Sequence, residues 1–313
     1  MTAVSKIVCG ECLCEGEAMK FMDDLMNGRV SEVEASAFLT ALRMRGETPV
    51  EIASFAKVMR EHCVQVDAGV PGLVDVCGTG GDGRNTFNIS TASMFVVAGA
   101  GGKIAKHGNK SITSNCGSAD VLEALGANIK LKPKDIAKCI RETGVGFMYA
   151  PLHHPAMKHV MDVRRGLGFR TVFNILGPLT NPAGAEYQLM GVYDPSLTEA
   201  LAEVFKLLDL RRALVVHGEP GLDELSTCGA NKISQLLDGE VKTIRIDARE
   251  LGLPEASIND LKGGGPRENA RIVKAIMDGE EGPGRDIVCL NAAGGLVASG
   301  IGGDFSEGLE MAF

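Results

Sequence analysis

The sequence predicts an α/β protein, in which a small helical N-terminal domain precedes a larger domain with a mostly parallel, helix-covered central sheet. Residues 1–65 show only helical periodicity and helix-start signals. Beyond residue 72, short apolar runs alternate with amphipathic segments, the pattern of parallel strands joined by helices. DAGVPG separates the two patterns with residues that interrupt both periodicities. We therefore predict a helical domain at 1–69 and an α/β domain at 70–313.

Capping signals define the N-terminal helices. Gly28 follows AMKFMDDLM and is placed to end that helix. Ser31 opens a Ser-x-x-Glu capping box before ASAFLTALRMR, and Gly46 is placed to end this second helix. Thr48 is followed by proline and then by glutamate, which is the signature of a third helix start.

The remaining chain reads as strands and helices in alternation. The strand candidates are LVDV, KIAK, VGFMYA, QLMGVY, ALVVHG and DIVCLN. The helix candidates are TASMFVVAGA, SADVLEALG, PKDIAKCIRETG, SLTEALAEVFKLLD and NARIVKAIMDG. KTIRID is a further candidate strand, which would run the other way. In such sheets ligands bind at the carboxyl ends of the strands, where the following loops gather.

Composition narrows the functional class. The net charge of −8 disfavours a nucleic-acid-binding protein. No apolar run reaches the roughly 18 residues of a membrane span, and the N-terminus lacks a signal-peptide pattern, so we expect a cytoplasmic protein. The nine cysteines, an odd number, are expected to be reduced thiols. Cys9, Cys12 and Cys14 resemble half of a zinc site, but no second pair follows at ligand spacing.

The stretch VDVCGTGGDGRNTFNIST places a glycine-rich loop between a strand and a helix that Ser90 or Thr91 would cap. Exposed backbone N–H groups at such a place form an anion site. The loop lacks the Gly-Lys-Ser/Thr of a Walker motif and the spacing of a dinucleotide fingerprint. Asp82 within it would repel a bare phosphate but suits sugar hydroxyls or a metal-bound phosphate. A purely structural turn is the alternative.

Three further clusters favour a polyphosphate ligand. KIAKHGNKSITSNCGSAD follows a strand and is rich in cations and short donors, and its Ser118 is placed to cap the next helix. Arg164, Arg165 and Arg170 lie among apolar residues and suit a carboxylate, although surface ion pairing would explain them too. GEPGLDELST follows another strand, and its adjacent acids suit Mg²⁺ beside a polyphosphate.

Taken together, these motifs resemble the anthranilate phosphoribosyltransferase family. The resemblance rests on GTGGDG, TFNIST, KHGN, GSADVLEALG, VRRGLGFRTVFNILGPLTNP, GLDELS and LNAAGG, in order and over practically the whole chain. It implies a homodimeric, Mg²⁺-using pentosyltransferase that carries out the second step of tryptophan biosynthesis. It also implies that mid-chain helices from about 165–185 fold onto the N-terminal helical domain.

The resemblance also implies roles for individual residues. Lys106 and His107 would be catalytic, and Ser90, Asp223 and Glu224 would bind Mg²⁺. Gly78, Asn109 and Arg164 would contact anthranilate. Phosphoribosyl pyrophosphate would be held by Gly78, Gly81, Asp82, Thr86, Asn88, Ile89, Ser90, Thr91, Lys106, His107, Gly108, Asn109, Lys110, Ser111, Ile112, Thr113, Ser114 and Ser118. Whether His107 accepts a proton is open.

The sequence departs from the family pattern at three positions. Lys110 stands where arginine is usual, and Thr113 stands where serine is common. Both preserve charge or hydroxyl, so we expect phosphate binding to survive. Asp162 replaces a proline and places an acid two residues before Arg164. The chain ends at FSEGLEMAF, where family members usually continue into a final helix.

Two other functions were weighed against this one. A pyrimidine nucleoside phosphorylase-like enzyme shares the expected fold, and ITSNCGSAD has a faint likeness to its phosphate loop. However, the Arg…Ser…Lys arrangement expected for base binding does not follow Arg170. A non-enzymatic nucleic-acid-binding relative would need a basic face, which the net charge of −8 disfavours.

Overall fold

The structure is a computed structural model that describes residues 1–111 and 115–313. The predictions for Ile112, Thr113 and Ser114 fall outside the described residues. Four helices come first, and capping side chains mark where they begin. Thr48 and Glu51 form the predicted capping box, and Ser31 accepts from the Glu34 N–H. The helices are α1 (Ala3–Val8), α2 (Glu15–Met26), α3 (Glu32–Arg45) and α4 (Pro49–Glu61).

A sheet of seven strands forms the centre of the rest of the chain. The strands are β1 (Leu73–Gly78), β2 (Lys103–Gly108), β3 (Val145–Tyr149), β4 (Tyr187–Gly191), β5 (Arg212–Gly218), β6 (Ala230–Leu237) and β7 (Glu240–Asp247). Their spatial order is β3-β2-β1-β4-β5-β6-β7. β1 to β5 pair in parallel. β6 pairs antiparallel with β5 on one side and with β7 on the other. KTIRID is confirmed as a strand, β7, but its predicted reversal is wrong. β7 is antiparallel to β6 and therefore runs in the same direction as β1 to β5. The reversed strand is β6, which was not predicted.

Further helices lie around this sheet and against the N-terminal helices. They are α5 (Ile89–Gly99), α6 (Ser118–Ala124), α7 (Pro133–Thr143), α8 (Ala150–His153), α9 (Met161–Leu167), α10 (Phe173–Leu176), α11 (Leu197–Leu207), α12 (Pro266–Met277), α13 (Pro283–Ser299) and α14 (Phe305–Ala312). Short 3₁₀ turns lie at Pro155–His159, Gly177–Leu179 and Ala248–Leu251. The predicted fold class is confirmed by this arrangement.

One predicted strand is wrong. DIVCLN lies within α13, where residues 286–298 are all buried. This helix packs against β1, β4 and β5 and against α5 and α14. Because it is enclosed on every side, it is apolar all round, and such a run cannot be told from a buried strand by periodicity alone.

Mid-chain residues share a core with the N-terminal helices. Val163 of α9 and Phe173 of α10 belong to the same buried cluster as Phe38 and Phe55. α9 contacts α3, and α10 contacts α4. α11 joins the same cluster, so the apolar core is continuous between the helical part and one face of the sheet. The domain limits of 1–69 and 70–313 remain our proposal.

Candidate active site

The site is set by a reversal in strand order. From β1 the chain proceeds to β2 and β3 on one side, and β4 and β5 lie on the other side. At such a point the loops following adjacent strands turn apart and leave a crevice at the carboxyl edge. Three segments meet there: the glycine loop (residues 79–88) after β1, the second loop (described residues 109–111 and 115–117) after β2, and the acid loop (219–229) after β5.

The acid loop lies directly on the ends of β1 and β4. Gly78 and Gly191 are paired in register at these ends, and a Cβ added to either would collide with Asp223. Glycine is required at both positions because the backbone of the acid loop approaches too closely for a side chain. The Gly80 N–H donates to Asp223 Oδ2 at 2.6 Å. Asp223 therefore sits at the base of the glycine loop.

The other predicted metal ligands are beside it. Ser90 lies in the first turn of α5, and its N–H donates to Glu224 Oε1 at 3.1 Å. Lys106 projects from β2 and is 2% exposed. Its Nζ donates to the Ser90 Oγ at 3.4 Å and also to the Val76 carbonyl. The structure thus brings one hydroxyl, two carboxylates and one ammonium group together.

Negative charge is concentrated at this point. Burial raises the pKa of Asp223 above its ordinary value, and the charge of Asp82 raises it further. The pKa of Glu224 is also raised, by burial and by the charge of Asp223, against the lowering effect of Lys106. In the described ranges, Asp82 Oδ2 is buried without a hydrogen-bond partner. Such a cluster is stabilised by a cation.

The residues present fit Mg²⁺. Within residues 1–111 and 115–313, no group of three or more His, Cys, Asp or Glu side chains could by itself hold a metal ion. Mg²⁺ usually keeps several waters and is bound by one or two carboxylates together with substrate phosphates. Ser90, Asp223 and Glu224 supply that kind of donor set. They fit an ion that is completed by a polyphosphate rather than a cage made only of protein ligands.

The glycine loop folds through left-handed residues. Gly80, Gly81 and Gly83 have φ values of 72°, 81° and 71°. The loop is closed against residues 261–263, since Phe87 N–H donates to the Leu261 carbonyl at 3.1 Å and residue 86 forms a bridge with Lys262.

The helix after this loop begins earlier than predicted. Its N-cap is Asn88 and its first residue is Ile89, so neither Ser90 nor Thr91 caps it. The Asn88 side chain donates to the Cys116 carbonyl at 3.1 Å and accepts from Asn269 at 2.9 Å. Ile89 and Thr91 are buried. The Ile89 N–H donates to the Phe87 carbonyl at 2.8 Å and the Ser90 N–H donates to Glu224, so both of these groups already have partners within the protein.

The second loop is held at both ends by one acid. Asp120 Oδ2 accepts from the N–H groups of Ser111 and Gly117, each at 2.9 Å. Gly117 is the N-cap of α6, so the expectation that Ser118 caps this helix is wrong. Ser118 is the first helical residue, and its Oγ donates to the Asn109 carbonyl at 3.3 Å. Ser118 therefore contributes a hydroxyl in the first turn of the helix, bonded to Asn109, and is not the helix cap.

Two predicted phosphate contacts in this region have other partners. Lys110 Nζ pairs with Glu123 Oε2 on α6 at 2.6 Å, so its cation faces the helix surface. Asn109 Oδ1 accepts the Lys110 N–H at 2.8 Å. Gly108 ends β2, where a Cβ would collide with Ser118 Oγ. Its close approach keeps the second loop against the start of α6.

His107 is buried and neutral. Its Nδ1 lies 3.2 Å from the Gly177 carbonyl, and its ring centroid is 4.9 Å from that of His154. Burial, and then the proximity of His154, lower the pKa of His107 to about 3. A group with so low a pKa is a weak proton acceptor near neutral pH. This environment works against the predicted role of His107 as a base.

Arg164 does not pair with Asp162. It lies on α9, half-buried, with its guanidinium 5.4 Å from the Phe173 ring centroid. Asp162 instead pairs with Arg165 at 3.0 Å on the exposed side of the helix. Along the described chain, no carboxylate lies within 4.0 Å of the Arg164 guanidinium, and its burial lowers its pKa. Surface ion pairing with Asp162 is therefore excluded as its role.

Sequence reasoning missed residues that position the site. Asn291 of α13 is buried, and its side chain bonds both the N–H and the carbonyl of Leu225, at 2.8 and 2.7 Å. It thereby holds the acid loop one residue beyond Glu224. Asp75, buried in β1, accepts from Asn181 at 2.7 Å. The LNAAGG and LTNP motifs contained two of these residues, but nothing local shows what they contact.

Two family models match the chain and define its class. Residues 2–63 match the helical bundle domain of a glycosyl transferase family, and residues 70–313 match the a/b domain of a glycosyl transferase family. The chain is therefore a glycosyltransferase of the pentosyl-transferring kind.

Individual relatives are more specific. The anthranilate phosphoribosyltransferase of Moorella thermoacetica is 50% identical over 309 residues, which are 99% of this chain and 91% of the relative. That of Methanocorpusculum labreanum is 49% identical, with coverages of 99% and 91%. The chain belongs to the anthranilate phosphoribosyltransferase family, whose members catalyse a step of tryptophan biosynthesis.

Solved structures agree. The crystal structure of anthranilate phosphoribosyltransferase from Thermus thermophilus superposes with a TM-score of 0.94 at 45% identity, over 100% of this chain and 93% of that one. The Saccharomyces cerevisiae enzyme in complex with PRPP and Mg has a TM-score of 0.90 at 31% identity, with coverages of 99% and 91%. The family assignment made from the motifs is confirmed, and the two alternative functions have no support.

Proposed function

We propose that this site transfers the phosphoribosyl group of phosphoribosyl pyrophosphate to anthranilate, giving N-(5-phosphoribosyl)anthranilate and pyrophosphate. The observation that carries the proposal is the convergence of Asp223, Glu224, Ser90 and Lys106 at the base of a glycine loop. Backbone N–H groups of the loop, a buried cation and a pair of acids are complementary to a polyphosphate with its metal ion.

The donor substrate would lie across the three loops. The glycine loop, together with Gly78 before it and Ile89 to Thr91 after it, would hold the ribose and pyrophosphate. The second loop, together with Lys106 to Gly108 before it and Ser118 after it, would complete the site. Ser90, Asp223 and Glu224 would hold Mg²⁺, which supplies electrostatic stabilisation of the departing pyrophosphate. The yeast relative with PRPP and Mg bound supports this assignment.

Lys106 acts on the leaving group. Its ammonium is buried next to Ser90, where the low dielectric strengthens its attraction to developing negative charge. The C1–O bond breaks, pyrophosphate leaves with the electron pair, and the anthranilate nitrogen forms a new bond to C1 from the opposite face. The alkylated arylamine is strongly acidic and loses its proton to water, so the reaction requires no base from His107.

The acceptor would be oriented by Arg164. An arginine fork binds a carboxylate bidentately, and the Arg164 guanidinium is held by Phe173 without a carboxylate of the described chain within 4.0 Å. Gly78 and Asn109 would provide the remaining contacts. The yeast enzyme in complex with 4-fluoroanthranilate supports an acceptor site in this fold.

We further propose a homodimer that buries one face of α3. Ala35, Phe38 and Leu42 face the core, yet Val33 and Met44 on the opposite side are 81% and 83% exposed. Residues 33, 37 and 44 repeat at helical spacing, so they form one apolar stripe. Val33→Glu with Met44→Glu should therefore give a monomer by light scattering with an unchanged melting temperature. An unchanged mass would contradict this interface.

A cytoplasmic location is part of the same proposal. The nine cysteines are thiols rather than disulfides, which is usual in reducing compartments. In the part of the chain that the structure describes, no helix is long and apolar enough to cross a membrane.

The reaction itself can be tested with the purified chain. Phosphoribosyl pyrophosphate, anthranilate and Mg²⁺ should give loss of anthranilate fluorescence with one pyrophosphate released per acceptor consumed. Chelation should stop the reaction, and added Mg²⁺ should restore it. A control with inorganic phosphate and a pyrimidine nucleoside should give no free base. Phosphorolysis in that control, without pyrophosphate release in the main assay, would contradict the proposal.

A further inference from the structure

Arg170 makes two contacts that no role described above explains. It lies between α9 and α10, and its guanidinium is 3.9 Å from the centroid of the Tyr193 ring. Its Nη2 donates to the Gly81 carbonyl in the glycine loop. Gly81 has a φ of 81°, and a Cβ added there would lie 3.0 Å from Arg170 Nη2. The Arg170 guanidinium thus contacts both the Tyr193 ring and the glycine loop.

Tyr193 contacts both Arg170 and the start of the glycine loop. It follows β4, and its N–H donates to Thr79 Oγ1 at 3.3 Å. Thr79 N–H donates to the Gly191 carbonyl at 2.9 Å. The turn from Thr79 to Gly81 is therefore held at its start by the backbone after β4 and at its end by Arg170, which rests on the same tyrosine. Without Arg170, the end of the turn would lose this contact.

The segment that carries Arg170 also contacts Arg164, the residue proposed to orient the acceptor. Phe173, three residues further along, is the ring over which the Arg164 guanidinium lies at 5.4 Å. Val172 and Phe173 are buried in the core shared with the N-terminal helices. This packing fixes the backbone that carries Arg170. A single short segment therefore contacts the donor loop through Arg170 and the proposed acceptor arginine through Phe173.

We infer that Arg170 is a positioning residue. It holds the Thr79–Gly81 turn in its phosphate-binding form and connects this turn to the segment that carries Phe173, which contacts Arg164. This inference rests on the proposed function. Only arginine suits the role, because its planar fork can stack on Tyr193 and still donate to the Gly81 carbonyl. Lysine would keep the charge but could not make both contacts at once.

The test compares Arg170→Gln with Arg165→Gln in the full chain. Arg165 belongs to the same segment, and its side chain is 72% exposed in an ion pair with Asp162. Calorimetric titration with phosphoribosyl pyrophosphate and Mg²⁺ should show about tenfold weaker binding for Arg170→Gln, and less than about twofold for Arg165→Gln. The anthranilate KM at saturating donor should change little in Arg170→Gln. Arg170→Lys should lie between wild type and Arg170→Gln.

A second pair of variants separates positioning from folding. Tyr193→Phe keeps the ring and should bind donor as the wild type does, whereas Tyr193→Leu should weaken donor binding. Combining Arg170→Gln with Tyr193→Leu should cost less than the product of the two single effects, because both act on one turn. Equal donor binding by Arg170→Gln and Arg165→Gln would overturn the inference alone. Failure of the wild type to bind donor would overturn the proposed function as well.

Discussion

Asp223→Asn is expected to make the protein more stable and nearly inactive. In the folded chain Asp223 is buried and lies beside Asp82, and burial and the charge of Asp82 both raise its pKa. Near neutral pH this carboxyl group ionises readily in the unfolded chain, whereas its ionisation in the folded chain is unfavourable. The wild-type acid therefore lowers the free energy of unfolding. Asparagine removes the charge and keeps an oxygen for the Gly80 N–H, which donates to Asp223 at 2.6 Å.

The size of the gain follows from the linkage between pKa and stability. Each pKa unit corresponds to about 1.4 kcal/mol, so a pKa raised from 3.8 to about 7 corresponds to at most about 4 kcal/mol of folding free energy that Asp223→Asn would recover near neutral pH. In a protein of this size that is a rise in Tm of roughly 2–4 °C per kcal/mol. Loss of a metal ligand should lower kcat at limiting Mg²⁺ by about 100-fold or more.

The raised pKa values also determine in which direction the stability of the wild type changes with pH. Because the pKa values of Asp223 and Glu224 are raised, to about 7 and about 8, the folded state binds more protons than the unfolded state between about pH 4 and about pH 8. Wild-type stability from these groups is thus present at low pH and is lost as pH rises through this window. The loss should be smaller in Asp223→Asn.

Thermal melts from pH 4.5 to 8 without Mg²⁺, together with the fluorescence assay, measure both effects. Asp278→Asn, an exposed acid at the end of α12, is the control and should match the wild type. An Asp223→Asn protein that melts below the wild type at pH 7.5, or that keeps wild-type kcat at limiting Mg²⁺, would refute the reasoning.

The other predictions concern the remaining predicted roles. Lys106→Met should weaken the use of phosphoribosyl pyrophosphate by about ten- to a hundredfold with little effect on the anthranilate KM, and unchanged donor kinetics would contradict its role. Arg164→Ala should raise the anthranilate KM about tenfold or more at a similar Tm, whereas the control Asp162→Ala should leave it unaltered. His107→Gln should lower kcat by less than about tenfold, because a general base contributes about a hundredfold or more, and a larger loss with a changed pH profile would show that His107 is the base.

Much of the local structure followed from the sequence. The start of α4 was predictable because Thr48, Pro49 and Glu51 form the capping box within a few residues of one another. The parallel strands were predictable because their apolar runs are short and bounded by glycine and polar residues. The glycine loop, the cation Lys106 and the acid pair of the acid loop were candidate site residues because each lies at or just after the carboxyl end of a strand, in a pattern that suits phosphate or metal.

Where local signals were ambiguous, packing decided. DIVCLN forms part of a helix because α13 is enclosed by the sheet, α5 and α14, and a buried helix and a buried strand are equally apolar. α5 begins after Asn88 because that side chain bonds Cys116 and Asn269, which lie far along the chain. Ser90 and Thr91 are also residue types that favour an N-cap, so the local sequence alone does not determine where this helix begins.

The relations between loops were decided only by the tertiary structure. The sequence by itself determined that glycines, a lysine and two acids exist at strand ends, together with the class of ligand they suit. It contained no sign that Asp223 occupies the space left by Gly78 and Gly191, or that Arg170 reaches Gly81. These contacts join residues that are far apart along the chain, and they exist because the order of strands in the sheet places their carboxyl ends side by side.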